Sequence, residues 1–262
     1  MGSEFMRDFY ENYYAAMQRS QAHAEFCERV FGRDLCQHGF ADMAQLDALI
    51  QVMQLGPRHR VLDLGCGNGM IAEYIADCTG AHVIGLDFIP EAIRQASQRT
   101  ASKSDRLAFV VGDINALELP DGAFDAVISI DTLYFSKDYA LTIRQLVKAL
   151  RPGGQMAFFF AHGRESADPK ENFPPDSVLA TRTPLAEALK ANGLKFRTWD
   201  FTSDDYRLAL SRKQVLAELR PRFEAETIMF IYEDRIGDAE GISQAIQDGL
   251  HARYLYHVRL PT

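Results

Sequence analysis

The stretch Val61-Leu62-Asp63-Leu64-Gly65-Cys66-Gly67-Asn68-Gly69 decides the fold. A short apolar run from Arg60 to Leu64 stops at a cluster of glycines, and a helix-like segment from Met70 to Cys78 follows, which reads as strand, tight turn and helix. Glycines at such a turn remove side chains where a ligand must approach the backbone, and the following helix offers its N-terminal amides. A dinucleotide site is expected to space its glycines GxGxxG, whereas here they fall as GxGxG behind an acidic residue.

Working outward, the same alternation continues. Val83 to Leu86, Leu107 to Val111, Ala126 to Ile130 and Gln155 to Ala161 read as strands, with Pro90 to Arg99 and Asp138 to Leu150 as helices. Short apolar strands alternating with helices predict a parallel, doubly wound sheet. Upstream, apolar residues from Met6 to Leu55 recur at helical spacing, broken near Gly32 and Gly39. Downstream, residues 163–176 are polar and Pro-rich and read as a loop. Thr183 to Asn192 is a helix and Lys195 to Phe201 a strand, while 203–250 is helical, charged and long for a link between strands. Arg253 to Leu260 closes the chain as a final strand. The expected organisation is a cloning scar at 1–5, an N-terminal helical cap at 6–55, a core at 56–202, a helical lid at 203–250 and the last core strand at 251–262.

Composition excludes several classes. The chain has 262 residues, 47% of them hydrophobic, so it can bury a real core. A net charge of −8 argues against duplex nucleic acid, whose phosphates require surplus Lys and Arg. No apolar run approaches the roughly 20 residues that span a bilayer, and the N-terminus lacks a signal-peptide core, so a cytoplasmic protein without membrane partners is expected. Cys27, Cys36, Cys66 and Cys78 lack metal-site spacing and read as reduced, mostly packed thiols, with no metal expected.

Taken together, the ordered motifs resemble class I S-adenosylmethionine (SAM)-dependent methyltransferases. Beyond the GxGxG turn, Asp87 ends the second strand, Gly112-Asp113-Ile114 follows the third, Phe124 to Ile130 forms the fourth, and Leu150-Arg151-Pro152-Gly153-Gly154 turns into the fifth. The resemblance implies an α/β, Rossmann-like, seven-stranded sheet of order 3-2-1-4-5-7-6 with the seventh strand antiparallel. It also implies SAM as cofactor: Gly65, Cys66, Gly67, Asn68 and Gly69 along its methionine part, Asp63 near its amino group and Asp87 on the ribose. Phe88, Asp113 and Ile114 would frame the adenine, and Ile130 would lie beneath the sulfonium.

On the acceptor side the expectations are Tyr13, Gln37, His38, Phe40, Tyr134, Tyr206 and Tyr254 as substrate-binding, with His162, Asp131 and Tyr14 as catalytic. His162 is chosen because it follows the fifth strand at the carboxyl end of the sheet, where ligands bind in this architecture. Adjacent helical positions face different ways, so at most one of Tyr13 and Tyr14 is expected to face the site. Ser129-Ile130-Asp131-Thr132 stands where amide-methylating relatives carry an Asn-Pro-Pro-Tyr motif, which disfavours amide acceptors. The reading is methyl transfer to nitrogen or oxygen of a small molecule, by a monomer or homodimer. A SAM-binding protein that does not catalyse is the alternative, and a nicotinamide-dependent oxidoreductase is opposed by the glycine spacing.

Overall fold

The computed structural model describes residues 3–164 and 169–262. Residues 1–2 of the expected scar, and 165–168 of the expected loop, lie outside the described residues. In the interior of the sheet is β1 (Arg60–Leu64), with Val61, Leu62 and Leu64 wholly buried. Successive side chains of a strand point to opposite faces, and the two faces of this sheet make two separate cores. Leu62, Leu64, Val127, Phe158 and Tyr256 pack on one face against Ile143, Leu146, Leu185 and Leu189. Val61, Val83, Ile128, Phe159 and Leu255 pack on the other against Leu49, Met53, Ile75 and Ala76. A strand covered on both faces reads as a continuous apolar run, as β1 and β4 (Phe124–Ile130) do.

The sheet runs β3-β2-β1-β4-β5-β7-β6, as the resemblance implied. Here β2 is His82–Asp87, β3 Leu107–Val111, β5 Leu150–Gly163, β6 Phe196–Asp200 and β7 His251–Arg259. Strand β7 lies antiparallel between β5 and β6, its register running from Gln155↔Arg259 to Gly163↔His251. The order of winding reverses between β1 and β4, so a crevice opens beyond the carboxyl ends of these strands.

Three helices precede the sheet: α1 (Ser3–Met17), α2 (Gln21–Phe31) and α3 (Met43–Met53). The breaks expected near Gly32 and Gly39 are the ends of α2 and the loop before α3. Ser20 and Asp42 cap α2 and α3, each side chain accepting a backbone N–H three residues on. Helices α4 (Met70–Thr79) and α5 (Pro90–Arg99) follow β1 and β2, while α6 (Tyr139–Ala149) and α7 (Pro184–Ala191) flank β5. The stretch expected as a lid forms α8 (Thr202–Ala225) and α9 (Met229–Gln247). Its Leu208, Leu216, Leu219, Phe223 and Ile231 share a core with Tyr13, Phe26 and Phe31 of α1 and α2. A hairpin that buries this much apolar surface is packed into the body of the fold. No helix among the described residues is long and apolar enough to cross a membrane. Cys27 and Cys66 are buried, as expected, but Cys78 is exposed.

Candidate active site

A cavity of about 520 Å³ occupies the crevice at the sheet's carboxyl edge. Its floor is the glycine turn. Gly65 N–H and Cys66 N–H donate to Leu86 O at 2.7 and 3.1 Å, which locks the end of β1 onto β2. Gly65 and Gly67 have φ of +80° and +56°, a region disfavoured for residues with a Cβ. A Cβ at Gly67 would also stand 2.4 Å from the Tyr14 hydroxyl, so the turn and α1 approach as closely as glycine permits. Gly69 instead backs onto Phe109 and Ala96 and does not line the cavity, so its smallness serves helix-to-strand packing.

Asp87 closes the turn from β2. Its Oδ2 accepts Gly67 N–H at 2.8 Å and its Oδ1 accepts Ile89 N–H at 2.9 Å, leaving each oxygen capacity for a ligand hydroxyl. Burial pushes its pKa up against the backbone hydrogen bonds that lower it. Asp63, in mid-sheet beneath the turn and outside the cavity lining, is 3% exposed, and burial followed by the charge of Asp87 raises its pKa to about 7. Two buried carboxylates beside each other make a site that favours a cation. That property fits a ligand carrying a sulfonium and an ammonium, and the Asp87 oxygens fit its ribose. Phe88, Asp113, Ile114 and Ile130 also line the cavity. Asp113 is steadied by Asn115, whose backbone and side-chain nitrogens donate to Oδ1 at 2.8 and 3.2 Å. The outer face of Phe88 carries the Arg7 guanidinium at 4.2 Å from the ring centre.

The acceptor side of the same cavity is built by α1, the loop before α3 and the segment after β4. Tyr14, Gln37, His38, Asp131 and Tyr134 line it, as expected from sequence. Tyr10, Cys36, Thr132 and Phe135 line it too, without having been anticipated. Tyr10 lies one helical turn before Tyr14 and Tyr13, so the spacing on α1 was the signal that could have found it.

Several expected site residues lie elsewhere. His162 on β5 is not in the cavity lining; its Nε2 meets Ser177 Oγ at 3.3 Å, its ring lies near Phe173, and burial followed by His251 lowers its pKa. Strand β5 continues to Gly163, so His162 is still paired in the sheet, opposite Ala252, rather than at a free strand end. Tyr254, opposite Phe160 on β5, packs into the core on the α6–α7 face, its hydroxyl donating to Val178 O at 2.8 Å. Tyr206 accepts from Gln247 Nε2 on the surface of the α8–α9 hairpin. Tyr13 is buried behind the cavity, and Phe40 packs beneath the guanidinium of Arg212.

Asp131, expected as catalytic, has all four of its acceptor positions taken. Arg253 Nη1 and Nη2 donate to its two oxygens at 2.5 and 2.9 Å, Tyr134 Oη donates to Oδ1 at 3.0 Å, and Phe40 N–H donates to Oδ2 at 2.7 Å. Its φ of +55° is held by this network. Such a carboxylate has no lone pair to receive a proton, and it serves to fix Tyr134 and the loop at Phe40.

A second buried guanidinium, Arg235 of α9, donates to the carbonyls of Gln37 and His38 and to Tyr13 Oη. It is wholly buried and holds the loop 36–39 from behind. Asp234 Oδ2 meets His38 Nε2 at 3.2 Å. Among the described residues no side chain of 203–250 lines the cavity, so the hairpin shapes its wall from outside.

The fold and strand order are those of the solved methyltransferase structures that the chain resembles. A methyltransferase domain family matches residues 61–154 of the chain. It is 33% identical over 129 residues to phosphoethanolamine N-methyltransferase 1 of Arabidopsis thaliana, covering 49% of this chain and 26% of that one. To 27-O-demethylrifamycin SV methyltransferase of Amycolatopsis mediterranei (strain S699) it is 32% identical over 148 residues, covering 52% of this chain and 54% of that one. The chain thus spans about a quarter and about half of the length of these two curated relatives. The fold is shared with geranyl diphosphate C-methyltransferase from Streptomyces coelicolor A3(2), solved with Mg²⁺, geranyl diphosphate and S-adenosyl-L-homocysteine. That match has a TM-score of 0.63 and 18% identity, covering 83% of this chain and 77% of that one.

Proposed function

We propose that this chain transfers the methyl group of SAM to a nitrogen or oxygen of a small-molecule acceptor. The observation that carries the reading is a single cavity in which the glycine turn and Asp87 face Tyr10, Tyr14, His38 and Tyr134. In this reading Gly65 to Asn68 run along the methionine part, the carboxylate of Asp63 offsets the ammonium, and Asp87 receives the ribose hydroxyls. Phe88, Asp113 and Ile114 frame the adenine, with Ile130 under the sulfonium. SAM supplies an already activated methyl group. The residues of the chain therefore have to align an acceptor and exclude water. The volume suits one cofactor and a compact acceptor, not a polymer.

Relatives named for nitrogen and for oxygen acceptors support those two atoms, while the likeness to a C-methyltransferase extends to the fold alone. The test is transfer of radiolabel from methyl-labelled SAM to a panel of small amines, including phosphoethanolamine, and of phenols and alcohols. Labelled product with any of them supports the reading. Tight S-adenosylhomocysteine binding with no product across the panel favours the non-catalytic alternative.

A further inference from the structure

His38, in the loop before α3, sits between α1 and α9. From α9, Asp234 Oδ2 lies 3.2 Å from its Nε2; from α1, Tyr10 Oη lies 3.3 Å from its Nδ1; Arg235 holds its carbonyl. Phe9, Tyr10 and Tyr13 pack edge-on to the ring with centroids 5.8, 4.9 and 5.0 Å away, which fixes its plane. His38 and Tyr10 both line the cavity, whereas Asp234 stands behind them.

We propose that Asp234, His38 and Tyr10 form a proton relay serving the methyl acceptor, with His38 as general base and the Tyr10 hydroxyl as the group that meets the acceptor. The inference rests on the methyl-transfer reading above. Its direction follows from the partners. A carboxylate only accepts, so Nε2 carries the ring proton and donates to Asp234. The neutral ring then has a bare Nδ1, which receives the Tyr10 O–H. Burial would push the Asp234 carboxyl up, but the hydrogen bond from His38, with the charge of Arg235, leaves it below its ordinary value, so it stays ionised. Burial first, then the charge of Asp234, raises Tyr10 far above the usual phenol range, so it passes a proton on without resting as a phenolate. This is the orienting logic of a carboxylate behind an imidazole behind a hydroxyl.

The step balances as follows. The acceptor lone pair forms the bond to the methyl carbon, the carbon–sulfur bond breaks with its electron pair remaining on sulfur, and the sulfonium becomes a neutral thioether. The acceptor proton passes to Tyr10 Oη as the Tyr10 proton passes to His38 Nδ1, and Asp234 stabilises the resulting imidazolium. Asp131 and His162 have no part in this step.

The decisive measurement is nitrogen-15 imidazole NMR on the protein with S-adenosylhomocysteine, with the His38 signal assigned by its loss in His38→Asn. The groups facing His38 are Tyr10 and Tyr13 of α1, His23 of α2, and Asp234, Arg235 and Asp238 of α9. The expected result is the Nε2–H tautomer in wild type and a mixture of the two tautomers in Asp234→Ala, which removes the acceptor facing Nε2. An Nδ1–H tautomer in wild type, or an unchanged tautomer in Asp234→Ala, overturns the relay. On any acceptor labelled in the panel above, Tyr10→Phe and His38→Asn should lower kcat by roughly 10²-fold with KM little changed. An unchanged kcat overturns it equally. Calorimetry with S-adenosylhomocysteine on the same samples separates the two levels: lost binding in wild type removes the methyl-transfer reading, while retained binding with the wrong tautomer removes only the relay.

Discussion

Asp63 and Asp87 carry opposite costs before and after a cation binds. Burial and the neighbouring carboxylate raise Asp63 to about 7, so ionising it opposes folding of the empty protein. Its contribution to stability is fullest below the ordinary carboxylate range and is lost as pH rises through about 7. A bound ammonium reverses the preference, because it favours the ionised form. Affinity for S-adenosylhomocysteine should therefore fall as pH drops below about 7, by up to about tenfold per pH unit, and Asp63→Asn should flatten that dependence. Calorimetry between roughly pH 5.5 and 8 reads both, and a wild-type affinity that does not change across this range would separate Asp63 from the ligand. His162→Ala should leave affinity and turnover unchanged, since the side chain lies outside the cavity. The crevice residues at the glycine turn and at the end of β2 were legible because their backbone positions are dictated by the turn and by strand ends. His162 was misjudged because strand length, which decides whether a residue is paired or free, depends on the antiparallel partner β7, and that pairing is remote in sequence.

Between elements, the buried arginines tie the α8–α9 hairpin and β7 to the site. Arg253→Met would leave Asp131 buried without its counter-charge and should cost about 3–5 kcal/mol. Denaturant unfolding measures this, and a loss below about 1 kcal/mol would mean that Asp131 is solvated by other means. In the hairpin itself, Leu216 and Phe223 are fully buried, so Phe223→Ala should destabilise by about 3–5 kcal/mol, and amides of α8 should exchange slowly. Fast exchange through α8 would restore the mobile lid that its sequence suggested. That suggestion came from charge and length, which sequence displays directly. The apolar stripe that seats α8 on α2 was obscured because Asp205 and Arg212, both charged, are also buried. A charged residue in a helix reads as a solvated face until its partner is known, and the partner of Asp205 on β7, His251, is 46 positions away.

For the molecule as a whole, the sheet and its crevice are what the glycine turn at 65–69 announced, and the acceptor wall is what it could not. Strand order follows from local patterns repeated along the chain, whereas the wall gathers Tyr10, His38 and Tyr134 from three distant segments. The central claim is that this crevice holds SAM through the turn and Asp87. Titration calorimetry of S-adenosylhomocysteine into wild type and Asp87→Ala, with NAD as control, tests it most directly. The expected result is one site per chain in wild type, an affinity loss of about 1.5–3 kcal/mol in Asp87→Ala, and no heat with NAD. Binding of NAD in place of S-adenosylhomocysteine, or equal affinity in wild type and Asp87→Ala, would contradict it.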